Sequence, residues 1–236
     1  YRQDKSVTYI YDIFSKKLTE VAPFTVDLLL PSGAENLNYV LYTDESPYKM
    51  QREWLDRLPF DIYSVNVHTG AKRLIGRSYR TAPKWSVNGK WAVMYDPIAQ
   101  VWNKFDGATG KVVNISDAIG YPMFMESYDK PAPAPAYGIA GWTADGNNVF
   151  LYDAYDWWKT DLTGERQPEC LTKGYGRKHG KSIRKMTSNI DKDVFQKDEK
   201  VIVSLWDKDT MDEGVYQLDM KGRLRKLMEG NYVYTI

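Results

Sequence analysis

Apolar and polar positions alternate along short runs in this chain, and four of these runs end in Asp or Asn followed three or four places later by glycine. Phe60-Asp61-Ile62-Tyr63-Ser64-Val65-Asn66 leads to Gly70, and Val101-Trp102-Asn103-Lys104-Phe105-Asp106 to Gly110. Trp157-Trp158-Lys159-Thr160-Asp161 leads to Gly164, and Val215-Tyr216-Gln217-Leu218-Asp219 to Gly222. A period of two predicts half-buried strands, and the polar residue with its glycine predicts a tight reversal. The Asp or Asn side chain bonds to the turn backbone, while glycine supplies the positive φ. Upstream of two hairpins stand Trp85-Ser86-Val87-Asn88-Gly89-Lys90-Trp91 and Trp142-Thr143-Ala144-Asp145-Gly146-Asn147, each an aromatic, a turn and then an apolar run. One repeat therefore holds about the content of a four-stranded blade, and the predicted fold class is all-β, a β-propeller of four-stranded antiparallel blades.

The hairpin glycines are separated by 40, 54 and 58 residues. A plain propeller blade takes about 40 to 50, so the later repeats carry insertions. Five blade-like segments are expected: Val7 to Val21, short and lacking the glycine, then Asn36 to Ile75, Lys84 to Ile115, Gly138 to Thr172 and Ser182 to Met228. A further strand is expected from Asn231 to Ile236. Residues 1–236 thus read as a single propeller domain or a fragment of one, either a closed five-bladed ring or an open arc of a larger wheel. The start, Tyr1-Arg2-Gln3-Asp4, is neither a Met nor a signal peptide and reads as excised from something longer.

Three insertions interrupt the pattern. Ser46 to Pro59 predicts a short amphipathic helix with Ser46 as N-cap, Pro47 at its first position and Trp54, Leu55 and Leu58 on one face. Pro131-Ala132-Pro133-Ala134-Pro135 predicts a stiff strut crossing between blades. The third, Gly174-Tyr175-Gly176-Arg177-Lys178-His179-Gly180-Lys181-Ser182, invites a phosphate-loop reading. Its spacing refuses it, because the glycine required five places before Gly180 is Tyr175. Ile183, Arg184 and Lys185 after it read as a strand.

Charge and composition narrow the function. The net charge is +1, with 32 Lys and Arg interspersed among 31 Asp and Glu, so nucleic acid is set aside as a partner. No apolar run is long enough to span a bilayer, so a membrane is set aside too. The 18 Tyr and 8 Trp among 236 residues suit pleated, half-buried surfaces.

No residue pattern points to catalysis. Cys170 stands alone and reads as a small core residue, since His68 and His179 fall in unrelated loops. Asp207, Asp209, Asp212 and Glu213 lack the glycine spacing of a calcium loop and read as a solvated hairpin. Asp191 and Asp193 read as a turn, and Asn114-Ile115-Ser116 is a glycosylation match short enough to arise by chance. Gly-x-Ser-x-Gly is absent. No catalytic, cofactor-binding or metal-binding residue is therefore assigned.

Several motifs carry a resemblance. Tyr137-Gly138-Ile139-Ala140-Gly141-Trp142, Tyr152-Asp153-Ala154-Tyr155-Asp156-Trp157-Trp158, and Leu171-Thr172-Lys173-Gly174-Tyr175-Gly176-Arg177-Lys178 with Arg184 resemble the propeller region of prolyl oligopeptidase family (S9) serine peptidases, especially Bacteroides-type members. The resemblance is best from Tyr137 to Met228. It implies a propeller that caps an α/β-hydrolase domain of the same parent chain and filters its peptide substrate, in a periplasmic or secreted protein. The hydrolase motifs are missing here, so no catalytic residue carries over. Arg177 and Lys178 are expected to pair with carboxylates of neighbouring blades. A second expectation is a stand-alone TolB-like propeller gripping a protein or glycan with rim aromatics Trp54, Trp157 and Trp158. A propeller glycosidase, which needs two carboxylates about 5 to 10 Å apart, comes last.

Overall fold

The computed structural model describes residues 7–23, 26, 28–31, 38–55, 57–186, 193–230 and 234. Asp191, Asn36 and the strand expected over Asn231 to Ile236 lie outside the described residues, Tyr234 excepted. The chain divides into two compact units, Tyr1–Asn114 and Ile115–Ile236.

The first unit opens with a hairpin of β1 (Thr8–Asp12) and β2 (Lys17–Ala22). Then come two four-stranded antiparallel meanders. One runs through β3 (Leu28–Pro31), β4 (Tyr39–Asp44), β5 (Phe60–Asn66) and β6 (Lys72–Tyr79), the other through β7 (Lys84–Trp85), β8 (Trp91–Asp96), β9 (Val101–Asp106) and β10 (Val112–Asn114). Leu41, Ile62, Tyr79, Ala92, Met94 and Phe105 form a buried core between the two sheets. Val21, Val40, Tyr42, Val65 and Val67 do the same between the hairpin and the first sheet.

The second unit holds a meander of β11 (Ile139–Thr143), β12 (Asn148–Tyr152), β13 (Trp157–Asp161) and β14 (Glu169–Cys170). A second meander runs through β15 (Lys181–Lys185), β17 (Lys200–Asp207), β18 (Glu213–Asp219) and β19 (Leu224–Gly230). Ala140, Phe150, Tyr152, Trp157, Leu171, Ile183, Phe195, Val203, Leu205, Tyr216 and Leu218 are buried together between them. The architecture is thus all-β, built of four-stranded antiparallel blades as the hairpin repeat predicts. The first sheet differs in extent, reaching from Leu28 to Tyr79 rather than Asn36 to Ile75.

The turns close as their residues dictate. Asn66 Oδ1 accepts the amides of His68 and Thr69, and Asp106 Oδ1 those of Ala108 and Thr109. Asp219 Oδ1 accepts from Lys221 and Arg223. Gly70, Gly110, Gly164 and Gly222 stand at φ of 76°, 67°, 87° and 79°. Three more hairpins use the same aspartate without glycine. Asp12, Asp96 and Asp207 each accept two turn amides, and Lys16, Gln100 and Met211, four places on, take positive φ instead. In the Asp207 turn the amides of Asp209 and Thr210 hold the carboxyl below the usual carboxylate range.

Three features correct the sequence reading. Ser46 to Pro59 forms only a 3₁₀ turn over Ser46–Gln51 with no side-chain cap and no buried residue, capped in position by Glu45 rather than Ser46. Trp54 is 74% exposed, whereas Leu58 is buried, so Trp54 and Leu58 do not share a packed face. The Pro131 to Pro135 segment is the return arm of a loop closed on itself, with a bridge between Phe124 and Ala136 and a hydrogen bond from Met125 N to Pro135 O. Finally, β16 (Val194–Phe195), in the insertion between β15 and β17, leaves its own blade and pairs in parallel with β11 of the preceding one. Gly141 permits this, because a Cβ there would stand 2.6 Å from both Asp193 O and the Phe195 ring.

Candidate functional site

Two of the three motifs that carry the family resemblance converge on two buried aspartates in the turn between β12 and β13. Asp153 Oδ1 accepts the amides of Tyr155 at 2.7 Å and Asp156 at 2.6 Å. Its Oδ2 accepts the Trp158 indole N–H and the Arg177 guanidinium, both at 3.0 Å. Four donors fill the acceptor positions of an ionised carboxylate. Asp156 Oδ1 accepts from the Thr172 hydroxyl at 2.6 Å and the Gly176 amide at 2.9 Å, and Oδ2 from the Arg177 amide at 3.0 Å. The Thr172 oxygen in turn accepts the Trp157 amide.

These bonds explain the Gly-rich loop. Tyr175–Lys178 forms α1, a single helical turn entered through Gly174 in the left-handed conformation. The amides at its start, free in any helix, point at Asp156. An anion is therefore held there as a phosphate loop would hold one, but it is the protein's own side chain.

Two arginines complete the node. Arg177 pairs with Asp153, whose side chain is fully buried, and its guanidinium lies 3.9 Å over the Tyr121 ring. Burial is the largest single influence and works against its proton, but the hydrogen bond it donates to Asp153 and the charges of Asp153, Tyr121 and Asp156 together outweigh it, so the group is held above its ordinary value. Arg184 has no carboxylate at hydrogen-bonding distance among the described residues. It donates to the carbonyls of Ile183, Asp153 and Ala154 and lies 4.7 Å from the Tyr152 ring centre, and burial lowers its pKa. Burial likewise pushes the Tyr152 phenol up to about 12. The expectation for Arg177 is met by Asp153 of the preceding blade; Lys178 is exposed, with no ion pair among the described residues.

The remaining candidates fall elsewhere. Cys170 is half-buried, accepts the Gly174 amide at 3.2 Å and has its thiol pushed up by burial, the opposite of an activated nucleophile. His68 sits in the β5–β6 turn, bonded through Nε2 to Asn38. His179 closes α1 and its ring lies 4.3 Å from that of Tyr175. Of the rim aromatics, Trp157 is a correction: it is fully buried and its indole donates to Ile183 O at 3.1 Å. Trp158 is half-buried on Asp153, which leaves Trp54 alone of the three as an exposed ring. Among the described residues no group of three or more His, Cys, Asp or Glu is placed to hold a metal ion, and no helix is long and apolar enough to cross a membrane.

No family model matches the sequence, and no curated protein does. Solved structures do. TolB from Acinetobacter baumannii is 12% identical with a TM-score of 0.38, over 96% of this chain and 49% of that one. The β-propeller domain of the Trilobed protease from Pyrococcus furiosus is 13% identical with a TM-score of 0.42, over 86% of this chain and 58% of that one. The acylaminoacyl peptidase from Pyrococcus horikoshii is 13% identical with a TM-score of 0.39, over 86% of this chain and 33% of that one. The chain spans a third to somewhat over half of these proteins. The fold assigned above rests on strand topology, and no residue role is carried across from them.

Proposed function

We propose that this chain is a non-catalytic propeller segment of an S9-type serine peptidase. It acts as a scaffold that gates peptide substrates and docks the α/β-hydrolase domain of the same parent protein, in the periplasm or outside the cell. One observation carries the reading: two of the three motifs that resemble the S9 propeller, the Asp153–Trp158 turn and the Gly-rich loop, meet at a single node in which all four aspartate oxygens accept hydrogen bonds from within the protein. Asp153, with four donors, has no free lone pair with which to take a substrate proton, and Asp156, 1% exposed with three donors, is likewise engaged in positioning backbone.

The test is an assay of the 236-residue chain against peptidyl and aminoacyl chromogenic substrates. No turnover above buffer is expected. Turnover that disappears on substituting residues of this chain would overturn the proposal. The parent reading frame beyond Ile236 is expected to encode Gly-x-Ser-x-Gly, and a frame without it favours the TolB-like binder.

A further inference from the structure

The second unit contains a cleft of about 410 Å³ that the node does not use. Phe150 and Phe195 are both buried, with ring centres 5.7 Å apart, and line the cleft together with Met220. Thr143, Asn148 and Gln196 add neutral polar atoms. Lys159 of β13, Lys197 after β16 and Lys221 of the β18–β19 turn line the same space from three separate elements. One wall exists only because β16 crosses to β11 and carries Phe195 and Lys197 with it.

The charges around this cleft do not balance. Among the described residues Asp145 is the one carboxylate in its lining. It is committed to the β11–β12 turn, accepting from the Thr143 hydroxyl at 2.5 Å and the Asn147 amide at 2.9 Å. These bonds, Thr143's first, and more weakly the charge of Lys159 hold its carboxyl below the usual range. Glu199 is likewise committed, to the Gln196 amide, and Glu169 faces Lys159 across the β13–β14 pair. Among the described residues none of the three lysines makes an ion pair. Three lysines against Asp145 leave the lining net positive, with Lys159 partly offset by Asp145 and Glu169 and the excess on Lys197 and Lys221; this raises the local potential, and a bound anion relieves it. The volume falls within the roughly 300 to 1,000 Å³ of small-molecule sites, which pair an apolar lining with a few fixed polar groups.

We propose that this cleft binds a carboxylate attached to an apolar body, with an aromatic or branched side chain seated on Phe150, Phe195 and Met220 and the carboxylate among Lys159, Lys197 and Lys221. Such a group occurs both in a free arylalkanoic acid and at the C-terminus of a peptide ending in an apolar residue. The assignment stands apart from the peptidase reading, since it rests on the cleft alone.

The experiment titrates the isotope-labelled chain with 3-phenylpropionate and with its amide, following amide shifts. The acid is expected to move the resonances of Lys159, Phe195 to Lys197 and Lys221, and the amide to bind at least about tenfold more weakly. The double variant Lys197→Gln, Lys221→Gln is expected to lose about tenfold for the acid, each partly exposed charge contributing a few-fold. Equal binding of acid and amide, shifts confined to other residues, or an unchanged affinity in the double variant would overturn the proposal. A second arm compares N-acetyl-Ala-Ala-Phe with its C-terminal amide. If the free tripeptide binds more tightly than 3-phenylpropionate the source is a peptide terminus, and the reverse order assigns a free acid; failure of both free acids to bind overturns the site.

Discussion

Replacing Asp156 with Ala is expected to destabilise the second unit by about 3 to 5 kcal/mol, because it leaves the Thr172 hydroxyl and the Gly176 and Arg177 amides without their acceptor. Asp156 is 1% exposed, so water cannot take its place without opening the loop. The orphaned amides belong to α1, a helical turn too short to persist on its own propensity. Its loss would release Arg177 from Asp153 as well. Asp156→Asn keeps the volume and one carbonyl oxygen and is expected to cost only about 1 to 2 kcal/mol. Urea denaturation followed by circular dichroism measures both. Equal losses for Ala and Asn would mean that negative charge, rather than the number of accepted bonds, holds the loop.

Trp157→Ala, made alone in the native chain, is expected to cost about 3 to 5 kcal/mol, the usual range for a fully buried indole. Trp157 is fully buried, with ring centres of Tyr152, Phe195 and Phe150 at 5.3, 6.1 and 6.3 Å. Removing it opens a void between the two sheets of the second unit and undercuts Phe195, which lines the lysine cleft. Trp157→Phe is expected to cost far less, about 1 to 2 kcal/mol. The Ile183 carbonyl that accepts the indole N–H keeps a second donor in Arg184. The same denaturation experiment distinguishes the two variants, and a Phe variant as damaged as the Ala variant would place the indole N–H above packing.

The parts of the fold legible in the sequence are those decided within a few residues. Asn66, Asp106, Asp161 and Asp219 announce their turns because each carboxylate or amide bonds to amides two to five places on, and glycine marks the positive φ. Asp12, Asp96 and Asp207 do the same, but Lys16, Gln100 and Met211 occupy the left-handed position, at a cost of about 1 to 2 kcal/mol each, and a search keyed on glycine passes over them. The Asp or Asn with a positive-φ residue three or four places on is the more general signal.

What depends on distant residues was not legible. α1 forms because Asp156, some twenty positions earlier, accepts its amides, and neither its glycines nor its length predicts a helix. β16 leaves its blade because Gly141 allows a close approach on another strand. The pair Trp157 and Trp158 points to opposite faces of β13, as neighbours on any strand do, yet alternation alone does not say which face is the core. Reading both as exposed rings missed that Trp157 fills the interior and Trp158 clamps Asp153. The lysine cleft draws on Lys159, Lys197 and Lys221, too far apart in sequence to form a motif.

The central claim is that antiparallel meanders hold the motif residues as scaffold. Nuclear Overhauser contacts in the isotope-labelled chain test it most directly. The account predicts cross-strand contacts joining Val203 with Tyr216 and Leu151 with Trp158 in antiparallel register, and Trp142 with Val194 in parallel. Helical ladders of contacts three residues apart along β12, β13, β17 and β18, or parallel pairing between those strands, would contradict it.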